Sequence, residues 1–167
     1  MKNILFFLTI FTSVFLFSQK LTTKFQPSAK HDGYTINIKT ENLAGKTIKL
    51  SIYNGNYKQS YKIDSIQVKT NNETISFKQK QRIISVVYQI AITGKPNKYD
   101  IFVSNGNVLN FALNGNTENE IITNDALNKS FIEYQKMPVS EQKNATLTSL
   151  QAKFPQNEAL KIFTLFE

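Results

Sequence analysis

The 167-residue sequence contains no cysteine, no tryptophan and a single histidine, His31. Without thiols the chain cannot form a disulfide framework, a cysteine-ligated zinc or iron–sulfur site, or a CxxC redox pair. One histidine cannot build a multi-histidine metal site. The six glycines form no P-loop, GxSxG elbow or dinucleotide fingerprint. We therefore expect no catalytic residue, no cofactor and no metal, and we expect that the protein is not an enzyme.

Arginine is also scarce, because Arg82 is the only one among 20 basic residues. The 12 acidic residues leave a net charge of +8, but the lysines are spread along the whole chain. Arginine supplies the planar fork that reads bases and clamps phosphates, so this composition argues against nucleic acid as a partner. We interpret the lysine excess as a solvated surface.

The longest apolar run lies at the N-terminus, from Ile4 to Phe17, after the positive charge of Lys2. As a helix its core would span only about 21 Å at 1.5 Å per residue, which is short of a bilayer of about 30 Å. The pattern predicts a secretory signal peptide over residues 1–18, cleaved after Ser18. The expected product is exported to the periplasm or cell envelope and is soluble after cleavage. It keeps no stable membrane anchor, since no cysteine is available for lipid attachment.

The composition divides the remaining chain into a polar leader (19–33), a β-rich domain (34–123) and a helical extension (124–167). In the β-rich domain apolar and polar residues alternate, starting with Tyr34, Ile36 and Ile38. Turn residues recur about every ten positions, which predicts seven or eight short strands. The expected fold is mainly β (α+β), an antiparallel β-sandwich or barrel followed by two or three helices.

Three details of the β-rich domain can be predicted from local patterns. The apolar phase shifts near Asp64 and Ser65, which predicts a β-bulge there. The run Ile84 to Ile92 predicts a central strand with Ile84 on its apolar face. The dipeptide at Asn105 joins two apolar stretches (100–103 and 108–113), which predicts a hairpin.

In the extension, Asn124 or Asp125, Ser140 and Asn157 are candidate N-caps, and the apolar spacing then becomes helical. The third helix carries Leu160, Phe163 and Phe166 close to the last residue. The apolar face of this helix must be buried against another part of a protein. Either the helix packs back on the sheet, or the sequence is the front part of something longer; we favour the second alternative.

Several segments together resemble a known family, the N-terminal domain of unknown function (number 4369) of exported thioredoxin-like disulfide oxidoreductases. The similar segments are 33–36, 43–50, 62–68, 86–92, the predicted hairpin from Phe102 to Phe111, 128–134 and 153–157. The chain departs from the family in lacking the thioredoxin domain with its paired cysteines. It also has Asn71, Asn72 and Glu73 where the family has a glycine.

The resemblance implies a non-catalytic interaction or positioning domain, whose partner would be a thioredoxin-like protein or another cell-envelope protein. The alternative is a ligand-binding β-sandwich for a glycan or a lipidic molecule.

The candidate interaction residues are Asp64, Ser65, Tyr53 and Tyr57. Asp64 and Ser65 are the most family-like pair, and they would either contact a partner or satisfy local backbone donors at the bulge. Tyr53 and Tyr57 flank a turn, so both could be presented at one end of the sandwich for carbohydrate stacking or protein docking. Cross-strand packing is the simpler role for them. We also expect exposure of four further tyrosines, at positions 61, 88, 99 and 134.

Overall fold

The computed structural model of the chain describes residues 32–54, 59–117 and 121–165. The predicted signal peptide, the leader up to His31, Tyr57 and Phe166 lie outside these ranges. The described residues form eight strands followed by three helices. The predicted mainly β fold with a C-terminal helical extension is therefore confirmed.

The strands form two four-stranded sheets. Sheet A has the order β4-β1-β7-β8 and sheet B the order β3-β2-β5-β6. All pairs are antiparallel except β1 with β7. The strand bounds are β1 Tyr34–Glu41, β2 Thr47–Asn54, β3 Gln59–Gln67, β4 Thr74–Gln79, β5 Val86–Ile92, β6 Lys98–Val103, β7 Asn107–Asn114 and β8 Ile121–Thr123.

Alternating side chains from the two sheets meet in one apolar core. In β1 the buried residues Tyr34, Ile36 and Ile38 alternate with more exposed neighbours, as their spacing predicts. Ile48 and Leu50 of β2 are fully buried opposite them in the same core. Burial of these branched side chains, at about 25 cal/mol per Å² of apolar surface, favours the sandwich over separate hairpins.

The predicted bulge is present in β3. Leu50 pairs with Asp64, but the next residue, Ser51, pairs with Lys62. Ile63 is therefore an extra residue without a cross-strand partner, and it is 40% exposed. An extra residue bends an edge strand and interrupts its ladder, which discourages edge-to-edge pairing.

The predicted hairpin across Asn105 is wrong. β6 pairs with β5 in sheet B, whereas β7 pairs with β1 and β8 in sheet A. The turn is a corner where the chain changes sheets. The Asn105 side chain accepts from the N–H of Gly33 (3.2 Å) and of Ile83 (2.8 Å) and donates to the Ile83 carbonyl (2.7 Å). The turn residues alone are the same for a hairpin and for such a corner. The long-range bonds of Asn105 distinguish the corner from a hairpin.

The placement of Ile84 in the central strand is also wrong. β5 does lie at the centre of sheet B, but it begins at Val86, and Ile84 is 76% exposed in the preceding loop. Both faces of β5 are buried, since Ile90 faces the sandwich core while Val87 lies under the helices.

The three helices are α1 (Ala126–Lys136), α2 (Glu141–Lys153) and α3 (Glu158–Thr164). They begin at the predicted caps, since the side chains of Asp125, Ser140 and Asn157 each accept a backbone N–H of the first turn. Their apolar residues form a second core on the outer face of sheet B, with Phe102 of β6 beneath Phe131 of α1. Leu160 of α3 is fully buried there, so this helix packs back on the sheet.

Replacing Gly33 or Gly45 with alanine tests how tightly β1 joins β4. Both glycines have a φ of +79°, which costs an L-residue about 1–2 kcal/mol. A Cβ on Gly45 meets no atom of the described chain within 4 Å, whereas one on Gly33 overlaps the Gln79 carbonyl. In urea unfolding we expect Gly45→Ala to lose only the stability that the positive φ costs, about 1–2 kcal/mol. Gly33→Ala should lose about 1–3 kcal/mol more because of the overlap. Equal losses in the two variants would contradict this packing.

Candidate functional site

Asp64 and Ser65 lie in the edge strand β3 of sheet B. The Asp64 carboxylate accepts a hydrogen bond from the Ser65 backbone N–H at 2.6 Å. Asp64 thus satisfies a local backbone donor, which is the simpler of the two roles considered for this pair. Asp64 pairs with the core residue Leu50, so it lies on the inner side of the sheet edge. Burial, and then the negative charge of Asp64, raise the pKa of the nearby Tyr34.

Tyr53 lies on the opposite face of sheet B and packs against the second core. The structure therefore does not bring Tyr53 and Asp64 into one site. The expected exposure of the other tyrosines is correct for Tyr61, which is 55% exposed, and wrong for Tyr88 and Tyr134, which are buried. Tyr99 is half-buried. A tyrosine can lie on either face of an amphipathic strand or helix, so its exposure cannot be inferred from the residue type alone.

A groove at another place in the fold is a candidate site. It lies where α1 passes between the edge strands of the two sheets, β6 and β8, and it has a volume of about 560 Å³. A smaller recess of about 130 Å³ continues it along β8. Both are lined by Ile121, Ile132 and Lys136. We call the two together the α1 groove.

Asn128 of α1 sets the position of one wall of the groove. Its side chain accepts the Phe102 backbone N–H (2.7 Å) and donates to the Phe102 carbonyl (3.1 Å). It also donates to the carboxylate of the N-cap Asp125 at 3.0 Å. The amide therefore pairs with β6 as a neighbouring strand would, and only 1% of Asn128 is exposed. A helix bonded in this way covers the open edge of sheet B.

A second polar contact lies near the other end of α1. The Asp100 carboxylate accepts from the side-chain amides of Gln89 (2.8 Å) and Gln135 (3.0 Å). Gln89 is buried and in turn accepts the Ser60 hydroxyl at 2.9 Å. Burial raises the pKa of Asp100, while the two amide donors and the charge of Lys98 act in the opposite direction. This network joins β3, β5, β6 and α1.

The groove has an apolar floor and a mainly positive rim. Tyr99, Ile121 and Ile132 supply the apolar surface, and burial raises the pKa of the Tyr99 phenol. Three exposed lysines, at positions 98, 129 and 136, line the rim against one carboxylate. That carboxylate, Glu133, lies 3.2 Å from Lys136, so the excess of positive charge remains. The groove therefore suits a ligand that is partly apolar and negatively charged.

The groove could not be predicted from the sequence pattern, because its residues come from three separate segments of the chain. One local signal was available. Lys129 and Lys136 lie seven residues apart on α1, which is two helical turns, so they share a face beside the apolar Ile132.

No protein-family model matches the sequence, and no curated protein matches it either. Across the described ranges, no helix is long and apolar enough to cross a membrane. Within the same residues, no three His, Cys, Asp or Glu side chains are grouped so that they could hold a metal ion.

Replacing Asp100 with asparagine tests the polar contact between α1 and β6. Because the pKa of Asp100 is raised in the folded state, the folded protein binds that proton more tightly than the unfolded chain. As the pH rises above 3.8, the ordinary pKa of this carboxyl group, loss of the proton therefore lowers the free energy of unfolding of the wild type. In urea unfolding from pH 3 to pH 7, we expect Asp100→Asn to gain stability relative to the wild type as the pH rises.

Gln135→Ala is the matched variant, because it removes one amide that stabilises the charged carboxylate. Its loss of stability should grow over the same pH range. If the free energy of unfolding of both variants differed from that of the wild type by an amount independent of pH, burial would not raise the pKa of Asp100.

Proposed function

We propose that the protein is a non-catalytic, exported interaction domain that binds and positions a thioredoxin-like protein of the cell envelope. The N-terminal sequence pattern supports export, and the resemblance to the N-terminal domain of thioredoxin-like oxidoreductases supports the choice of partner. The two-sheet sandwich with a helical layer is compatible with such a module.

The α1 groove is the observation that carries this proposal. It is formed by rigid elements on both sides, since Asn128 bonds α1 to β6 and β8 is paired with β7. Preformed sites on such elements bind with a smaller loss of conformational entropy than loops do. Its apolar floor and charged rim are typical of an interface, where an apolar centre is surrounded by polar residues.

A lipidic ligand is the second candidate, and the same apolar floor favours it. A carboxylate at the end of an acyl chain would match Lys98 or Lys136, with the chain lying on Tyr99 and Ile132. Tyr53 does not favour a glycan as the ligand, because its side chain is packed against the second core.

A photoreactive amino acid at Ile122, on the exposed face of β8, tests the proposed function. Ile122 lines the groove and is 57% exposed. We expect the exported protein to begin at Gln19 by intact mass. We expect its cross-linked partner to be a thioredoxin-fold protein with paired cysteines.

The same photoreactive residue at Lys78, on the exposed face of β4, is the control and should not capture that partner. Capture of a lipid in place of a protein would favour the second candidate. Exported protein that still begins at Met1, or identical partners from both positions, would contradict the proposal.

A further inference from the structure

The backbone of β8 directs two of its three residues toward the open edge of sheet A. Successive residues in a β-ladder present their N–H and C=O groups to opposite sides. The Gly115 N–H, just after β7, donates to the last carbonyl of β1 (2.8 Å), so odd-numbered residues of β7 face β1. Even-numbered residues face β8, and Ala112 pairs with Ile122. The N–H and C=O groups of Ile121 and Thr123 therefore point outward.

A side-chain bond supports this direction independently. The Thr123 hydroxyl donates to the carbonyl of Asn110, an even-numbered residue of β7, at 2.8 Å. Across the described part of the chain, no hydrogen bond reaches the outward backbone groups of Ile121 and Thr123. Within residues 32–54, 59–117 and 121–165, the outer edge of β8 is thus without a paired strand.

Two of the other sheet edges are protected. In β6 the outward groups of Phe102 are bonded by Asn128. In β3 the extra residue Ile63 interrupts the ladder, and Lys62 places a charge beside it. Bulges, lysines and covering helices are the usual means by which proteins block unwanted strand pairing. β8 has neither a bulge nor a lysine among its three residues.

The α1 groove runs along this open edge. The smaller recess is lined by all three residues of β8 on one side and by Lys129, Ile132, Glu133 and Lys136 of α1 on the other. A strand laid beside β8 would direct alternate side chains toward Ile121 and Ile132 or toward solvent. The lysines would face its flanking residues, which favours carboxylates at those positions.

We propose that an extended, acidic segment of a partner protein adds to β8 as a fifth strand of sheet A. This inference rests on the proposed function and specifies how the partner binds. The backbone of the partner segment pairs with Ile121 and Thr123. One apolar side chain of the segment lies on Ile121 and Ile132. The carboxylates on either side of it face Lys129 and Lys136. The three residues of β8 extend over only about 10 Å at 3.3 Å per residue, so the paired stretch is short. We therefore expect a transient complex.

The test uses synthetic peptides and the full chain, with binding measured by calorimetry or fluorescence anisotropy. The first peptide is acetyl-Glu-Thr-Val-Thr-Glu-amide, in which the valine and the two flanking glutamates lie on one face of the strand. Its control carries N-methyl groups on the amides of the middle residues, which removes backbone donors but keeps charge and side chains. We expect the control to bind about tenfold more weakly or worse, because the backbone acceptors of β8 are then left without donors.

Protein variants test the charge contribution. Lys129→Glu with Lys136→Glu should weaken binding of the acidic peptide by about tenfold, and more at low salt. Lys62→Glu, on β3, is the matched control and should leave binding unchanged. A peptide with lysine in place of glutamate should bind the wild type weakly and the double variant more strongly.

Equal affinity for the N-methylated and unmodified peptides would overturn strand addition, while a cross-linked thioredoxin-fold partner at Ile122 would leave the proposed function standing. Dimerisation of the chain through β8, with no displacement by the acidic peptide, would overturn the inference as well. Peptide binding that follows both the N-methyl and the charge-reversal pattern supports it, even where the cross-linked partner lacks a thioredoxin fold.

Discussion

The hydrogen bonds between the Asn128 side chain and the Phe102 backbone hold the helical layer against the sandwich. A buried strand edge must find partners for its N–H and C=O groups, and α1 supplies both from a single amide. The same side chain bonds to the carboxylate of Asp125, which caps the helix, so the start of α1 and its attachment to sheet B are one unit. The aromatic contact of Phe102 with Phe131 then packs beside these bonds.

This attachment determines the shape of the candidate site. Since Asn128 fixes α1 along β6, Ile132 lies in the sandwich core one turn later, and Gln135 reaches Asp100 after a second turn. The opposite flank of the helix then faces β8 with Lys129 and Lys136. One edge strand is thereby closed and the other is left beside a groove, which is the asymmetry on which the proposed binding mode depends.

The sequence was informative where the determinants are local. The alternation from Tyr34 to Ile38, the bulge beside Asp64 and the three helix caps all depend on residues within a few positions, and the structure has them as predicted. It was misleading where distant segments decide. The turn at Asn105 becomes a corner because its side chain bonds to Gly33 and Ile83, and Tyr53 is separated from Asp64 by the sheet itself. The groove was missed for the same reason.

The central claim is that Asn128 acts as the strand partner of β6, and urea unfolding of Asn128→Ala tests it most directly. The two Phe102 groups would lose their partners in a buried position, at about 1–3 kcal/mol each, so we expect a loss of roughly 2–6 kcal/mol. Asn37→Ala is the control, because Asn37 bonds Asn110 and Ser76 on the solvent-facing side of sheet A. It should lose less than about 1 kcal/mol. Similar losses in both variants would contradict the account.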